Sequence, residues 1–169
     1  FVFIPSGFFG AMLPAMSRFA RDSQTDLLAA MARSCKYLLL IGLPIAGGLS
    51  VLAHPLVSWL YGPLYQAAVP ALQIVSWSIP FMFLNHAMMA AIMAVDRERQ
   101  GSAYLIVGML VSIVGNLIMI PRFGHVGAAT TALLSSITVF LCQLALLRRA
   151  LPAFRFPREM INMIGASTC

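Results

Sequence analysis

The chain of 169 residues is 60% hydrophobic and only 9% charged, with a mean hydropathy of +0.89 and a formal net charge of +6. Soluble domains carry about 25% charged residues, so this composition excludes an ordinary soluble enzyme or binding domain and defines an integral membrane protein. The positive charge lies in short connections between apolar runs rather than among stacking aromatics on a soluble face, so no nucleic-acid partner is expected.

The chain opens at Phe1 inside an apolar run and stops at Cys169 just after another has begun, and we read it as an internal fragment in which a targeting peptide is neither expected nor excluded. Residues 1–17 read as a first span. Residues 18–36 follow with Arg18, Arg21, Arg33 and Lys36. Within them Ser23 or Thr25 can cap a helix, with Asp22 and Asp26 near its positive end. Leu27, Leu28, Met31, Cys35 and Leu38 fall at helical spacing on one side. Two readings fit this segment: a short helix lying along the membrane surface, or the capped start of the next span.

From Tyr37 to Val95 no Asp, Glu, Lys or Arg occurs in 59 residues, too long for one crossing. "YGPLYQAAVP" divides the run, since Gly62, Pro63 and Pro70 supply turn chemistry and Tyr61 and Tyr65 suit the headgroup level. Spans are therefore expected at 37–60 and 70–95. The turn "DRERQ" pairs Asp96 and Glu98, but Arg97 and Arg99 flank them, and a solvated cap fits better than a metal site.

Spans at 101–120 and 125–147 surround "IPRFGHVGAATTALLS", whose Gly124 and Gly127 superficially suggest a phosphate-cradling loop. The 22 uncharged positions before Arg122 and the 25 after it are each long enough to cross about 30 Å of hydrocarbon. Neither the Walker nor the dinucleotide spacing is present, so the stretch reads as a tight bend between spans. A sixth span begins near Met160. The connections at 18–36, 96–100 and 148–159 hold four, two and four basic residues, against none at 61–69 and one at 121–124. The positive-inside rule places the first, third and fifth connections in the cytoplasm.

No Lys, Arg, Asp or Glu falls within a span, so the marks of a proton relay or ion site are absent from the sequence. The polar side chains left in the hydrocarbon are Gln73, Asn85, His86, Asn116 and Gln143. Asn85 and His86 lie about a turn and a half beyond Pro80, and a proline inside a membrane helix frees a carbonyl and bends the helix. Asn85, His86 and Asn116 are the candidate substrate-binding residues, with hydrogen bonding between helices as their other reading. Pro5, Pro14, Pro44, Pro55 and Pro80, with Gly42, Gly47 and Gly48, suit a bundle that rocks between two states, although proline and glycine are frequent in static membrane helices too. Cys35, Cys142 and Cys169 lie far apart and suggest neither a disulfide nor a zinc site. No catalytic group, metal or cofactor is expected.

The order of these features resembles a known group. "IPSGFFGAMLPAMSRFA", "LYGPLYQAAVPALQI", "FLNHAMMAAIMAVDRERQ", "IPRFGHVGAAT" and "LLRRALP" together are similar to the polysaccharide, O-antigen-type flippase branch of the multidrug/oligosaccharidyl-lipid/polysaccharide (MOP) exporter superfamily, with the lipid II flippases nearby. The resemblance covers essentially the whole chain. It implies an all-α polytopic transmembrane bundle forming most of the second lobe of a two-lobed transporter in the cytoplasmic membrane. It further implies alternating-access transfer of a lipid-linked oligosaccharide for polysaccharide or lipopolysaccharide synthesis, with the bilayer as partner and a polysaccharide polymerase or glycosyltransferase nearby. A multidrug or organic-cation exporter of the same superfamily is the alternative, and a membrane-embedded glycosyltransferase the alternative from another class.

Overall fold

The computed structural model describes residues 24–95 and 98–150. The spans expected at 1–17 and from residue 160, and the turn at 96–97, lie outside them. The described residues are helical almost throughout: α1 is Gln24–Val51, α2 Ala53–Tyr61, a 3₁₀ turn Pro63–Ala68, α3 Val69–Ser76, α4 Ser78–Ala94 and α5 Glu98–Ala150. No strand occurs among them.

The breaks between these helices follow from proline chemistry. Pro55 has no N–H to offer the carbonyl of Val51, and the ladder is interrupted at Leu52 before resuming through Leu56 N to Leu52 O at 2.9 Å. Pro80 does the same to Ser76, and the chain bends at Trp77, whose N–H bonds Ile74 O at 3.2 Å in the tighter three-residue pattern. In hydrocarbon the freed carbonyls must find donors within the protein. Gln73 O, bypassed when Trp77 N–H bonds Ile74 O, accepts from the Ser76 hydroxyl at 2.7 Å, and Val75 O accepts from the Ser78 hydroxyl at 2.6 Å.

Helix α1 is continuous from Gln24, so the segment before Tyr37, with Arg33 and Lys36, belongs to the same helix as the apolar run that follows and is not a separate helix. Its apolar stripe of Leu27, Met31, Cys35 and Leu38 is buried, and it packs on α4. Helix α4 is apolar on nearly every side and lies at the centre, with Phe83, Ala87, Met88, Ala91 and Ile92 buried between α1 and the end of α5 around Leu144, Leu146 and Leu147. Lipid tails are as apolar as these side chains, so the packing rests on close fit and dispersion rather than on escape from water. Gly42 lets α1 approach α4 closely, since a Cβ there would sit 3.2 Å from the Phe83 ring.

The 53 residues of α5 are a hairpin. Gly124, at φ 57° and ψ −132°, adopts a backbone closed to other residues and turns the chain back, leaving two equal legs of roughly 39 Å, 98–123 and 125–150. Glycines hold the legs together: Gly108 faces Val139 and Ser135, Gly115 faces Thr131, and Gly127 faces the backbone of Met119. These pairs are symmetric about Phe123, as an antiparallel hairpin requires. Ser135 Oγ donates to Gly108 O at 2.8 Å across the seam. The outward side of the first leg, including Leu105, Ile106, Met109, Leu110, Ile113 and Leu117, is exposed and apolar, as a lipid-facing surface is.

Three segments are long and apolar enough to cross a bilayer: Leu27–Val51, Pro63–Ala94 and Arg99–Arg149, the last containing the hairpin. Their ends sort by charge. The turns at Gly62, with φ 82°, and at Gly124 meet at one end, where His125 Nε2 donates to Ala67 O. At the other end Gly101 packs on Met89 and Ile92. Arg99, Arg148 and Arg149 belong to this second end and are exposed. In a full-length protein with its native cysteines replaced, single cysteines at Gln24 and Gln100 should react with an impermeant reagent only after the inner face is opened, and one at Gln66 should react from outside. Labelling of Gln24 and Gln66 from the same side would overturn this orientation.

Candidate functional site

The polar groups of the spans are set by the helices that carry them. Asn85 and His86 are adjacent on α4, so they point roughly 100° apart. Asn85 Nδ2 donates to Ser136 O on the second leg at 3.1 Å, while its Oδ1 is buried with no hydrogen-bond partner. His86 turns back along its own helix, and its Nδ1 donates to Met82 O at 2.8 Å. Both side chains are half-buried.

Asn116 sits on the first leg of the hairpin. Its Nδ2 donates to Ser112 Oγ one turn earlier at 3.4 Å, and its Oδ1 is also buried and unpartnered. Through the hairpin register, the level of Ser136 corresponds to Leu110, so Asn116 lies about 9 Å nearer the Gly124 turn than Asn85. The structure therefore places the candidates at two depths and does not gather them into one cluster. Gln143 extends the series away from the Gly124 turn. It lies seven residues beyond Ser136, is fully buried, and neither of its amide atoms has a hydrogen-bond partner.

Sequence reasoning marks Gln143 as polar without assigning it a role, and it does not single out Ser136 or Thr131. Ser136 serves Asn85 through its carbonyl, which no side-chain pattern reveals. Thr131 is buried against Gly115, and its hydroxyl donates to Gly127 O at 2.9 Å. Gly108 and Gly115, one heptad apart on the first leg, are the signal that points to this seam.

Carboxamides and an imidazole in a bundle interior donate and accept hydrogen bonds without carrying fixed charge. An unpaired amide oxygen in a low-dielectric interior is costly, and it can be satisfied by a ligand hydroxyl or amide. Among the described residues no group of three or more His, Cys, Asp or Glu is gathered as a metal site would need.

Bent helices, three segments of which are long and apolar enough to cross a bilayer, define an all-α, multi-pass membrane protein. Residues 3–168 match the lipid II flippase MurJ family, so the chain belongs to that family and with it to the MOP exporter superfamily. It is also similar to an uncharacterized membrane protein of Methanocaldococcus jannaschii, at 27% identity over 115 residues. That match covers 68% of this chain and 23% of the relative, so the chain spans about a quarter of the relative's length. No solved structure matches the chain at a significant level.

Proposed function

We propose that the complete protein moves a lipid-linked saccharide precursor from the inner to the outer leaflet by alternating access, without changing it covalently, and that this chain forms most of its second lobe. Membership of the lipid II flippase family is the observation that carries this reading. A polar headgroup cannot cross hydrocarbon unaided, because removing its hydroxyls and amides from water without replacing their hydrogen bonds costs several kcal/mol for each group, on the order of 2–7. The protein must therefore offer polar atoms along a path open to one side at a time. Proline breaks at Leu52 and Trp77 and the Gly124 turn supply places where helices can re-angle.

The family match favours lipid II as the precursor. The order of motifs from "LYGPLYQAAVP" to "IPRFGHVGAAT" supports a second reading, an O-antigen-type oligosaccharide precursor with a polymerase or glycosyltransferase as neighbour. Depleting the protein from cells should leave its precursor stranded in the inner leaflet with synthesis intact, and which precursor accumulates decides between the two. Loss of resistance to cationic drugs with no stranded precursor would favour the multidrug alternative. A precursor missing its last sugar would make the protein a glycosyltransferase.

Asn85, His86 and Asn116 are proposed to contact the substrate, through the unpartnered Oδ1 atoms of the two asparagines and through the imidazole. Asn85→Leu should then reduce transport several-fold while leaving membrane abundance near normal. The lost bond to Ser136 alone is worth only about 0.6 kcal/mol on average in membranes. A fall in abundance that tracks the fall in transport would assign Asn85 to helix packing instead.

A further inference from the structure

Among the described residues Gln143 is the side chain that is completely buried while both its amide nitrogen and its amide oxygen lack a hydrogen-bond partner. Its surroundings follow from the register. The Asn85 bond to Ser136 O sets α4 beside the second leg, and both run from a glycine turn toward the basic end. Seven residues further along each helix, Ile92 and Gln143 therefore share a level. Ile92 is fully buried as well, and the first leg closes on it: a Cβ at Gly101 would sit 2.8 Å from Ile92 Cγ2 and 3.0 Å from Met89 Sδ. Leu144, Leu146 and Leu147, the neighbours of Gln143 on its own helix, belong to the hydrophobic core.

An amide moved out of water into such surroundings without hydrogen bonds is costly, and a methionine or leucine of similar size would carry no such penalty. The penalty lasts only while α4 and the two legs are packed. Arg148 and Arg149 are exposed and lie five and six residues beyond Gln143, about 7.5–9 Å along the helix. The basic end is thus within two helical turns of the amide, and parting α4 from the second leg over that length would hydrate it. A group that one arrangement penalises and another satisfies shifts the population toward the second.

We propose that Gln143 is a conformational bias built into the basic end: its amide disfavours the packed arrangement of α4 and the hairpin and favours one in which this end parts and admits water. The inference rests on the alternating-access reading and deepens it, by naming a residue that sets the balance between two states.

The test uses the full-length protein in lipid nanodiscs, with its native cysteines replaced and the reporter substitution Ala91→Cys at a fully buried position of α4. Gln143→Met keeps the length of the side chain and removes the amide. It should raise the midpoint of thermal unfolding by several degrees and slow the reaction of the reporter with a charged, membrane-impermeant thiol reagent several-fold. Gln143→Leu should give the same two shifts and carries the test if the first variant fails to fold. An unchanged or lower midpoint with unchanged labelling would mean that the amide is satisfied in the packed state, and a higher midpoint with unchanged labelling would mean that the penalty is relieved only on complete unfolding. Either result overturns the proposal. Neither readout requires transport, so failure of the bias shows in the variants' labelling, whereas failure of the alternating-access reading shows in the unsubstituted protein's inability to transfer a precursor in liposomes.

Discussion

Gly127→Leu should destabilise the full-length protein by about 2–3 kcal/mol, at the upper end of what overpacking usually costs, with a matching loss of membrane abundance. A Cβ at Gly127 would fall on the carbonyl oxygen of Met119, and a backbone atom in the facing leg cannot swing aside as a side chain can. The hairpin would have to open. Gly108→Leu meets Val139 and Ser135 side chains instead, and Gly115→Leu meets Thr131, so both should cost less than Gly127→Leu. Gly47 provides the contrast, because a Cβ there has nothing within 4 Å and the residue lies within α1. Gly47→Ala should be neutral or stabilising by up to about 1 kcal/mol through helix propensity alone. Thermal unfolding of the purified variants measures the series, and a Gly127→Leu protein as stable as the Gly47→Ala protein would mean that the glycine seam does not hold the hairpin.

The seam also indicates which parts of the molecule a sequence can disclose. The uncharged runs before and after Arg122, and the glycines beside it, made the hairpin's two legs and its turn legible, because span length and turn chemistry are local properties. The buried stripe of Leu27, Met31, Cys35 and Leu38 was legible as one face of a helix, but not as a face that packs on α4. In water the apolar side of a helix identifies its buried side. In lipid both sides are apolar, so exposed Leu105, Met109 and Leu117 cannot be distinguished by type from buried Met88 or Leu147. Facing must be read from small residues, and Gly42, Gly101, Gly108, Gly115 and Gly127 provide it here.

The candidate site was legible in residue type and not in arrangement. Asn85, His86 and Asn116 stand out because polar side chains are rare in a span, but their depths follow from the hairpin register and from the bond to Ser136, which are tertiary facts. Gln143 is as conspicuous in sequence as the others, yet its complete burial with two unpartnered amide atoms depends on packing of the second leg. The order of motifs was sufficient for the superfamily, since turns and basic connections recur in a fixed sequence. It pointed to the O-antigen-type branch with the lipid II flippases nearby, whereas the family match is to the lipid II flippases.

Reconstitution should give the largest functional effect. Liposomes carrying a fluorescent lipid-linked oligosaccharide expose only their outer-leaflet pool to an impermeant quencher, because the polar head cannot cross hydrocarbon on its own. Full-length protein inserted into these liposomes should make the inner-leaflet pool quenchable as well, and Asn85→Leu protein, inserted to the same level, should do so several-fold more slowly. The lipid recovered afterwards should be chemically identical to the lipid supplied. Quenching that stops at the outer-leaflet pool in the presence of folded full-length protein, or recovery of a lipid with an altered sugar chain, would contradict transfer of an unmodified lipid-linked precursor across the membrane.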